Sequence, residues 1–186
     1  MKKNINRIAI IGSGVMGSGI ACHFANIGIN VLLLDIAPSE LNEKEKYLGL
    51  TLDDKKVKNR IVTEMFQRCI KSKPSPLYHK NFSSRIKIGN LNDDISEINK
   101  ADWIIEVVTE KLKIKQIVFD QIEKYRTPGT LVTSNTSGIP IKQMNEGRSE
   151  DFKKNFAVTH FFNPPRYLKL FEIIPGQIVI LKLLIF

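Results

Sequence analysis

The chain has few cysteines and no long apolar run. Its 186 residues include two cysteines, Cys22 and Cys69, and three histidines. Two cysteines do not indicate a disulfide framework, and no paired Cys/His spacing predicts a metal site. No stretch of 18 or more apolar residues occurs, so no transmembrane helix is predicted. These absences exclude a disulfide-rich secreted domain, a zinc-binding module and a helical membrane protein.

The N-terminal residues show no targeting segment. Met1 to Ile5 lead directly into the first apolar run, with no signal peptide before it. We therefore predict a cytoplasmic protein. A chain of this length can bury one substantial core, with a small appendage at most.

Acidic residues are fewer than basic ones. Lys and Arg number 28 and Asp and Glu 19, which gives a formal net charge of +9. The basic residues are scattered along the chain, and no aromatic-rich RNA-binding motif accompanies them. The excess therefore favours a phosphate-bearing small molecule over nucleic acid, with a generally solvated basic surface as the alternative.

A glycine-rich turn after the first predicted strand is the most informative motif. The apolar run Ile5 to Ile11 predicts a strand buried on both faces of a parallel sheet, and the pattern GSGVMG follows at residues 12–17. Gly12 allows a sharp exit from the strand, Gly14 allows close approach of a pyrophosphate, and Gly17 allows tight packing of the next helix.

The segments after the turn complete a dinucleotide-binding pattern. A helix predicted over Val15 to Asn26 directs its free N–H groups and its dipole at the phosphates. The strand Asn30 to Leu34 ends at Asp35, whose carboxylate can accept from both ribose hydroxyls and would repel a 2′-phosphate, which favours NAD. The alternative is a tight structural turn beside a solvated strand end. The predicted cofactor contacts in and after the turn are Gly12, Ser13, Gly14, Val15, Met16, Gly17 and Asp35.

The rest of the chain alternates between strand and helix patterns. A helical excursion over residues 39–71 ends at a proline-containing break at 73–76. Further strands are predicted at Arg85–Gly89, Trp103–Val108, Thr130–Ser134, Phe156–Phe162 and Lys169–Ile174, with helices at Asp93–Asn99 and Leu112–Tyr125. The link between the last two strands is too short for a crossover helix, so these two are predicted to be antiparallel. The predicted fold class is α/β: a Rossmann-type, doubly wound, mostly parallel sheet with an antiparallel hairpin near the C-terminus.

Four motifs in a fixed order identify a family resemblance. They are MGSGIA at 16–21, EVVTE at 106–110, SNTS at 134–137 and HFFNP at 160–164. Together they closely resemble the NAD-binding domain of the 3-hydroxyacyl-CoA dehydrogenases of fatty-acid β-oxidation, from about Ile5 to Gly176. The resemblance implies an oxidoreductase that uses NAD to convert (3S)-3-hydroxyacyl-CoA to 3-oxoacyl-CoA.

The resemblance also implies three catalytic residues. His160 is the expected general base, Glu172 is expected to orient and polarise it, and Ser137 is expected to hydrogen-bond the substrate oxygen. The sequence supports the pairing of His160 with Glu172 independently of the resemblance, because a hairpin centred near Arg166 would place these two residues opposite each other. A carboxylate at one ring nitrogen fixes the tautomer and leaves the other nitrogen basic. The alternative for His160 is a histidine of the core without a catalytic role. The alternative for Ser137 is a helix N-cap before residues 139–141.

Further cofactor contacts follow from the same resemblance. Asn163 is expected to help place the nicotinamide and the substrate. Ser137 is expected to contact the cofactor as well as the substrate oxygen. Glu110 and Lys115 are expected to contact the cofactor, with an ordinary solvated helix start as the alternative. No metal ligand is predicted.

The C-terminal end departs from the family pattern. The family continues into a mainly helical, dimerising domain that closes over the acyl-CoA, whereas eight of the ten residues at 177–186 are apolar. We expect a domain over 1–176 and an apolar tail at 177–186, either an added strand or helix or the product of a truncated or frame-shifted reading frame. Such a tail favours a homo-oligomer or a partner chain.

Two functional hypotheses follow from these patterns. One is the acyl-CoA dehydrogenation described above, and the other is a truncated NAD-binding module without autonomous turnover. A dehydrogenase of another β-hydroxy acid is a related alternative, and the His160–Glu172 pair argues against the members of that class that use a lysine base.

Overall fold

A computed structural model describes residues 5–176 of the chain, and the predictions for the tail at 177–186 lie outside these residues. Seven strands form one sheet in the order β3-β2-β1-β4-β5-β6-β7. Every neighbouring pair is parallel except β6 and β7, which are antiparallel. The strands are β1 Arg7–Ile11, β2 Asn30–Asp35, β3 Ile86–Asn90, β4 Trp103–Glu106, β5 Leu131–Ser134, β6 Phe156–Phe161 and β7 Phe171–Pro175. The predicted doubly wound fold class with its antiparallel hairpin is confirmed.

The longer helices have the predicted bounds, whereas the shorter ones differ. The described helices are α1 Val15–Asn26, α2 Glu43–Tyr47, α3 Lys55–Lys58, α4 Arg60–Ile70, α5 Leu112–Tyr125, α6 Ile141–Met144 and α7 Glu150–Lys154, with 3₁₀ turns at Lys80–Arg85 and Ile95–Lys100. The predicted helical excursion after β2 consists of the three helices α2, α3 and α4. The last two α-helices were not predicted, because four or five residues are too few to show a helical period. Within residues 5–176, no helix has the length and apolarity needed to cross a membrane.

The core lies on both faces of the sheet. Ala9 and Ile11 of β1 pack into one apolar cluster, and Ile8 and Ile10 pack into the other, on the α1 side. All four side chains have no solvent exposure. This two-sided burial is the physical reason for the continuous apolar run that marks β1 in the sequence.

The carboxyl ends of the parallel strands meet at one edge of the sheet. The glycine turn follows β1, and Asp35, Glu106 and Ser134 are the last residues of β2, β4 and β5. The strand order reverses between β1 and β4, which leaves a crevice at that edge in folds of this kind. The sheet therefore brings together residues that lie far apart in the sequence, from the glycine turn at 12–17 to Ser134.

Replacing Gly17 by alanine is expected to destabilise the domain by about 3 kcal/mol, the upper end of the usual cost of overpacking. A Cβ at Gly17 would lie 1.8 Å from the carbonyl oxygen of Gly12, which is backbone and cannot rotate away. Gly14→Ala is the matched control, because a Cβ there meets nothing within 4 Å. Urea denaturation of the three proteins measures the difference, and equal losses for both variants would contradict the packing argument.

Candidate active site

The glycine turn is tied to the end of β2 by Asp35. The backbone N–H of Ser13 donates to Asp35 Oδ2 at 2.6 Å, and its hydroxyl donates to the same oxygen at 2.5 Å. The N–H of Ile36 donates to Oδ1 at 2.7 Å. The side chain of Ser13 is fully buried and directed at Asp35, so the structure gives it a role in holding the turn that sequence reasoning missed. Ribose binding by Asp35 stays a prediction.

The start of α1 fits an anionic group such as a pyrophosphate. Gly14 is the N-cap residue, no side chain caps the helix, and its first turn contains no acidic residue. The free N–H groups of a 12-residue helix form an anion site together with the helix dipole. Open space beside Gly14 allows close approach to the backbone. The turn residues 12–17 are therefore the ones that could hold the phosphates of a dinucleotide.

His160 and Glu172 form the predicted cross-strand pair. The two residues lie directly opposite in the β6–β7 register, as the hairpin argument predicts. His160 Nδ1 and Glu172 Oε2 are 2.8 Å apart, and His160 Nε2 and Ser137 Oγ are 3.2 Å apart. With its Nδ1–H donated to Glu172, the imidazole presents Nε2 as an acceptor toward Ser137. The structure thus brings together all three predicted catalytic residues.

Glu110 holds the loop that carries Ser137. Its Oε1 accepts from the hydroxyl of Thr136, from the N–H of Ser137 at 3.1 Å and from the N–H of Gly138 at 3.2 Å. Partial burial acts to raise the pKa of Glu110, but the hydrogen bond from Thr136 and the charge of Lys115 outweigh it and keep the pKa below its usual value. Glu110 is therefore ionised at neutral pH and places Ser137 opposite His160.

Lys115 lies behind Glu110 and not at the surface of the site. Its side chain is fully buried, and its Nζ lies 2.8 Å and 3.0 Å from the two carboxylate oxygens of Glu106. Glu110 Oε2 is 3.3 Å from the same ammonium. Glu106 also accepts from the N–H of Val108 at 2.7 Å and from the hydroxyl of Ser134. This enclosure by two carboxylates excludes the alternative of a solvated helix start for Lys115, while its contact with the cofactor stays a prediction. Sequence reasoning did not identify Glu106 as the second carboxylate.

The other candidate residues occupy separate positions. Asn163 is exposed just after β6, and its side chain bonds to no described residue, so its cofactor role stays a prediction. Ser137 does not cap a helix, because α6 begins at Ile141 with Pro140 at the N-cap position. Within residues 5–176, no group of three or more His, Cys, Asp or Glu is placed to hold a metal ion.

A basic cavity lies in the excursion that follows β2. Its volume is about 480 Å³, and Leu48 and Leu50 form its apolar part. Four cationic residues line it, Lys44, Lys55, Lys56 and Arg60, together with Glu64 and with Glu45, which pairs with Arg60. The excursion begins after Asp35, at the same edge of the sheet as the glycine turn.

Comparison with known proteins agrees with these observations. The family model "3-hydroxyacyl-CoA dehydrogenase, NAD binding domain" matches residues 7–179. A Bacillus subtilis (strain 168) protein named "Probable 3-hydroxyacyl-CoA dehydrogenase" is 53% identical over 175 residues, 94% of this chain and 22% of that protein. A Deinococcus radiodurans protein of the same name is 40% identical over 171 residues, 92% of this chain and 45% of that protein.

A solved structure shows the same fold. The crystal structure of 3-hydroxybutyryl-CoA dehydrogenase from Escherichia coli K12 matches with a TM-score of 0.66 and 29% identity, over 96% of this chain and 34% of that chain. The chain thus spans less than half the length of these proteins. The prediction of NAD as cofactor is confirmed by the description of the matching family. The chain belongs to the family of the NAD-binding domain of 3-hydroxyacyl-CoA dehydrogenases.

Proposed function

We propose that the chain provides the NAD-binding and proton-accepting part of an enzyme that oxidises (3S)-3-hydroxyacyl-CoA to 3-oxoacyl-CoA in fatty-acid β-oxidation. The observation that carries this proposal is the contact of His160 with both Glu172 and Ser137 at the carboxyl edge of the sheet. The names of the relatives at 53% and 40% identity support the same reaction class.

In the proposed reaction, His160 accepts the proton of the 3-hydroxyl at Nε2. A substrate hydroxyl within hydrogen-bond reach of both groups would donate to His160 Nε2 and accept from Ser137 Oγ, which lie 3.2 Å apart. As the proton arrives, Glu172 at Nδ1 stabilises the imidazolium by its negative charge. Held by the glycine turn, NAD⁺ would supply the acceptor for the hydride of C3, whose C–H bond would break as the C3=O bond forms.

Three features would keep the reacting groups in place. Asp35 holds the glycine turn, Glu110 holds the Ser137 loop, and the cross-strand register holds Glu172 against His160. Each acts on a different loop or strand end at one edge of the sheet. Such preorganisation lowers the entropy lost when the reacting atoms are brought together.

The basic cavity supports an acyl-CoA as the substrate class. Its three lysines could bind the phosphates of CoA, and its two leucines could pack against the nucleoside. The cavity is part of the excursion that makes this domain larger than a minimal strand–helix–strand unit. We propose it as the surface that receives the CoA moiety.

The second candidate function is an NAD-binding module without turnover of its own. The observation that favours it is the coverage of the relatives, since the chain matches 22% of the first and 45% of the second. In that case the described residues would bind NADH, and the remaining part of such proteins would complete the substrate cleft. Both functions use the same glycine turn.

Mixing the purified chain with NADH and acetoacetyl-CoA separates the two functions. Loss of NADH absorbance is expected if the chain acts as a dehydrogenase, and no loss is expected if it is only a module. NADPH is the matched control, because Asp35 would repel its 2′-phosphate and lower both binding and turnover. NADH binding without turnover would support the NAD-binding module and contradict the dehydrogenase. Absence of NADH binding would contradict both proposals.

A further inference from the structure

Arg166 occupies the centre of the hairpin that carries His160 and Glu172. The paired residues of β6 and β7 run from Ala157 opposite Pro175 to Phe161 opposite Phe171, so every pair is symmetric about position 166. Arg166 therefore belongs to the connection that sets the register of the catalytic pair. It is not itself in contact with His160 or Glu172.

The guanidinium of Arg166 reaches a loop far away in the sequence. It donates to the carbonyl oxygen of Ser75 and, at 3.1 Å, to that of Leu77. It also lies over the ring of Tyr78, 4.3 Å from the centroid, and 5.0 Å from the centroid of Tyr167. Such a charged group with two carbonyl acceptors and two aromatic faces is held more firmly than an ordinary surface arginine.

The loop that accepts these bonds is fixed to the rest of the domain. Asn26, the last residue of α1, donates its amide to the carbonyl of Pro76 at 2.9 Å and accepts from the N–H of Tyr78 at 2.8 Å. Leu77 is buried in the α1-side cluster. Arg166 thus connects the hairpin to a loop that α1 already holds.

Within residues 5–176, the strand that carries Glu172 pairs with β6 alone. β7 is the last strand of the described sheet and pairs only with β6, and most of its side chains are exposed. The carboxylate of Glu172 contacts His160 and no other described side chain. The position of Glu172 therefore depends on the backbone of β7, which is held by its ladder with β6 and by the turn that joins the two strands.

We infer that Arg166 is a positioning residue, which anchors the hairpin turn to the 75–78 loop and so keeps Glu172 against His160 Nδ1. The anchoring is a property of this chain's own geometry, whereas its effect on turnover rests on the proposed function. Hydrogen bonds from a charged donor are the stronger class, so loss of this anchor should release the turn.

The test compares Arg166→Ala and Arg166→Lys with the unaltered chain by NMR and amide hydrogen exchange. We expect Arg166→Ala to weaken or abolish the Nδ1–H resonance of His160 and to speed exchange in β7 by about tenfold or more. Arg166→Lys keeps a cationic donor and should give an intermediate result, and Tyr167→Phe should give a small effect because its hydroxyl only adds a 3.0 Å bond to Ser75. In turnover, kcat should fall while the affinity for NADH stays unchanged.

Arg68→Ala is the matched control, since Arg68 is exposed on α4 and forms no described hydrogen bond or ion pair. An unchanged Nδ1–H resonance and unchanged β7 exchange in Arg166→Ala would overturn the inference, as would the same changes in Arg68→Ala. If neither the unaltered chain nor any variant turns over substrate, but the His160 Nδ1–H resonance and the β7 exchange change as expected, the proposed function fails and the anchoring role of Arg166 stands. The NMR and exchange measurements thus test the anchor separately from catalysis.

Discussion

Replacing Lys115 by methionine is expected to lower the free energy of unfolding by about 3–5 kcal/mol, because it leaves a buried carboxylate without its counter-charge. The side chains of Lys115 and Glu106 have no solvent exposure, and their charged atoms lie 2.8 Å apart. Methionine matches the length of the lysine stem, so the change removes the ammonium with little loss of packing volume. Urea denaturation measures the loss.

Three further variants make this test specific: Lys113→Met, Glu106→Gln, and the double variant Lys115→Met/Glu106→Gln. Lys113→Met removes an exposed lysine from the same helix and should change stability by less than about 0.5 kcal/mol. Adding Glu106→Gln to Lys115→Met removes both buried charges, and the double variant should be more stable than the sum of the two single losses predicts. Additive losses, or equal losses at Lys113 and Lys115, would show that the pair does not act as a buried ion pair.

Replacing His160 by glutamine is expected to lower turnover by roughly 10²–10⁴-fold, the usual contribution of a positioned general base. The affinity for NADH should stay unchanged, because the glycine turn and Asp35 do not contact His160 in the structure. The measurement pairs the decrease in NADH absorbance with acetoacetyl-CoA with a binding titration of NADH alone.

His79→Gln is the control for this substitution, since His79 is exposed and its Nδ1 only accepts from the N–H of Asn81. Glu172→Gln should lower turnover less than His160→Gln does, because the imidazole remains but loses the carboxylate that fixes its tautomer. Full turnover in His160→Gln would contradict the role of His160 as the general base. Equal losses in His160→Gln and His79→Gln would indicate a general effect on folding.

The sheet and the long helices could be predicted because their patterns extend over many residues. The alternation of strands and helices predicted the doubly wound sheet, and α1 and α5 begin and end where their periodicity indicates. The opposition of His160 and Glu172 could be predicted as well, since a short link between two strands permits few registers.

The loop contacts could not be predicted in the same way. The enclosure of Lys115 depends on the backbone path of residues 107–111, which brings Glu106 and Glu110 to either side of one ammonium. No periodicity encodes such a path. A glutamate that ends an apolar strand, nine residues before a lysine, was the available signal, and it is too common to indicate a buried pair. Likewise, nothing in the sequence alone showed that Arg166 reaches the 75–78 loop.

Asp35 is both the residue predicted to select NAD and the acceptor of the Ser13 hydrogen bonds that hold the glycine turn. An engineer who wished to convert such a site to NADP would first replace Asp35, the carboxylate that is predicted to repel the 2′-phosphate. Here that change would also remove the acceptor of both Ser13 hydrogen bonds and release the turn from β2. Coenzyme switching in this domain would therefore also need a second substitution that supplies a new acceptor for Ser13. A single exchange at position 35 would loosen the glycine turn as well as change the selectivity.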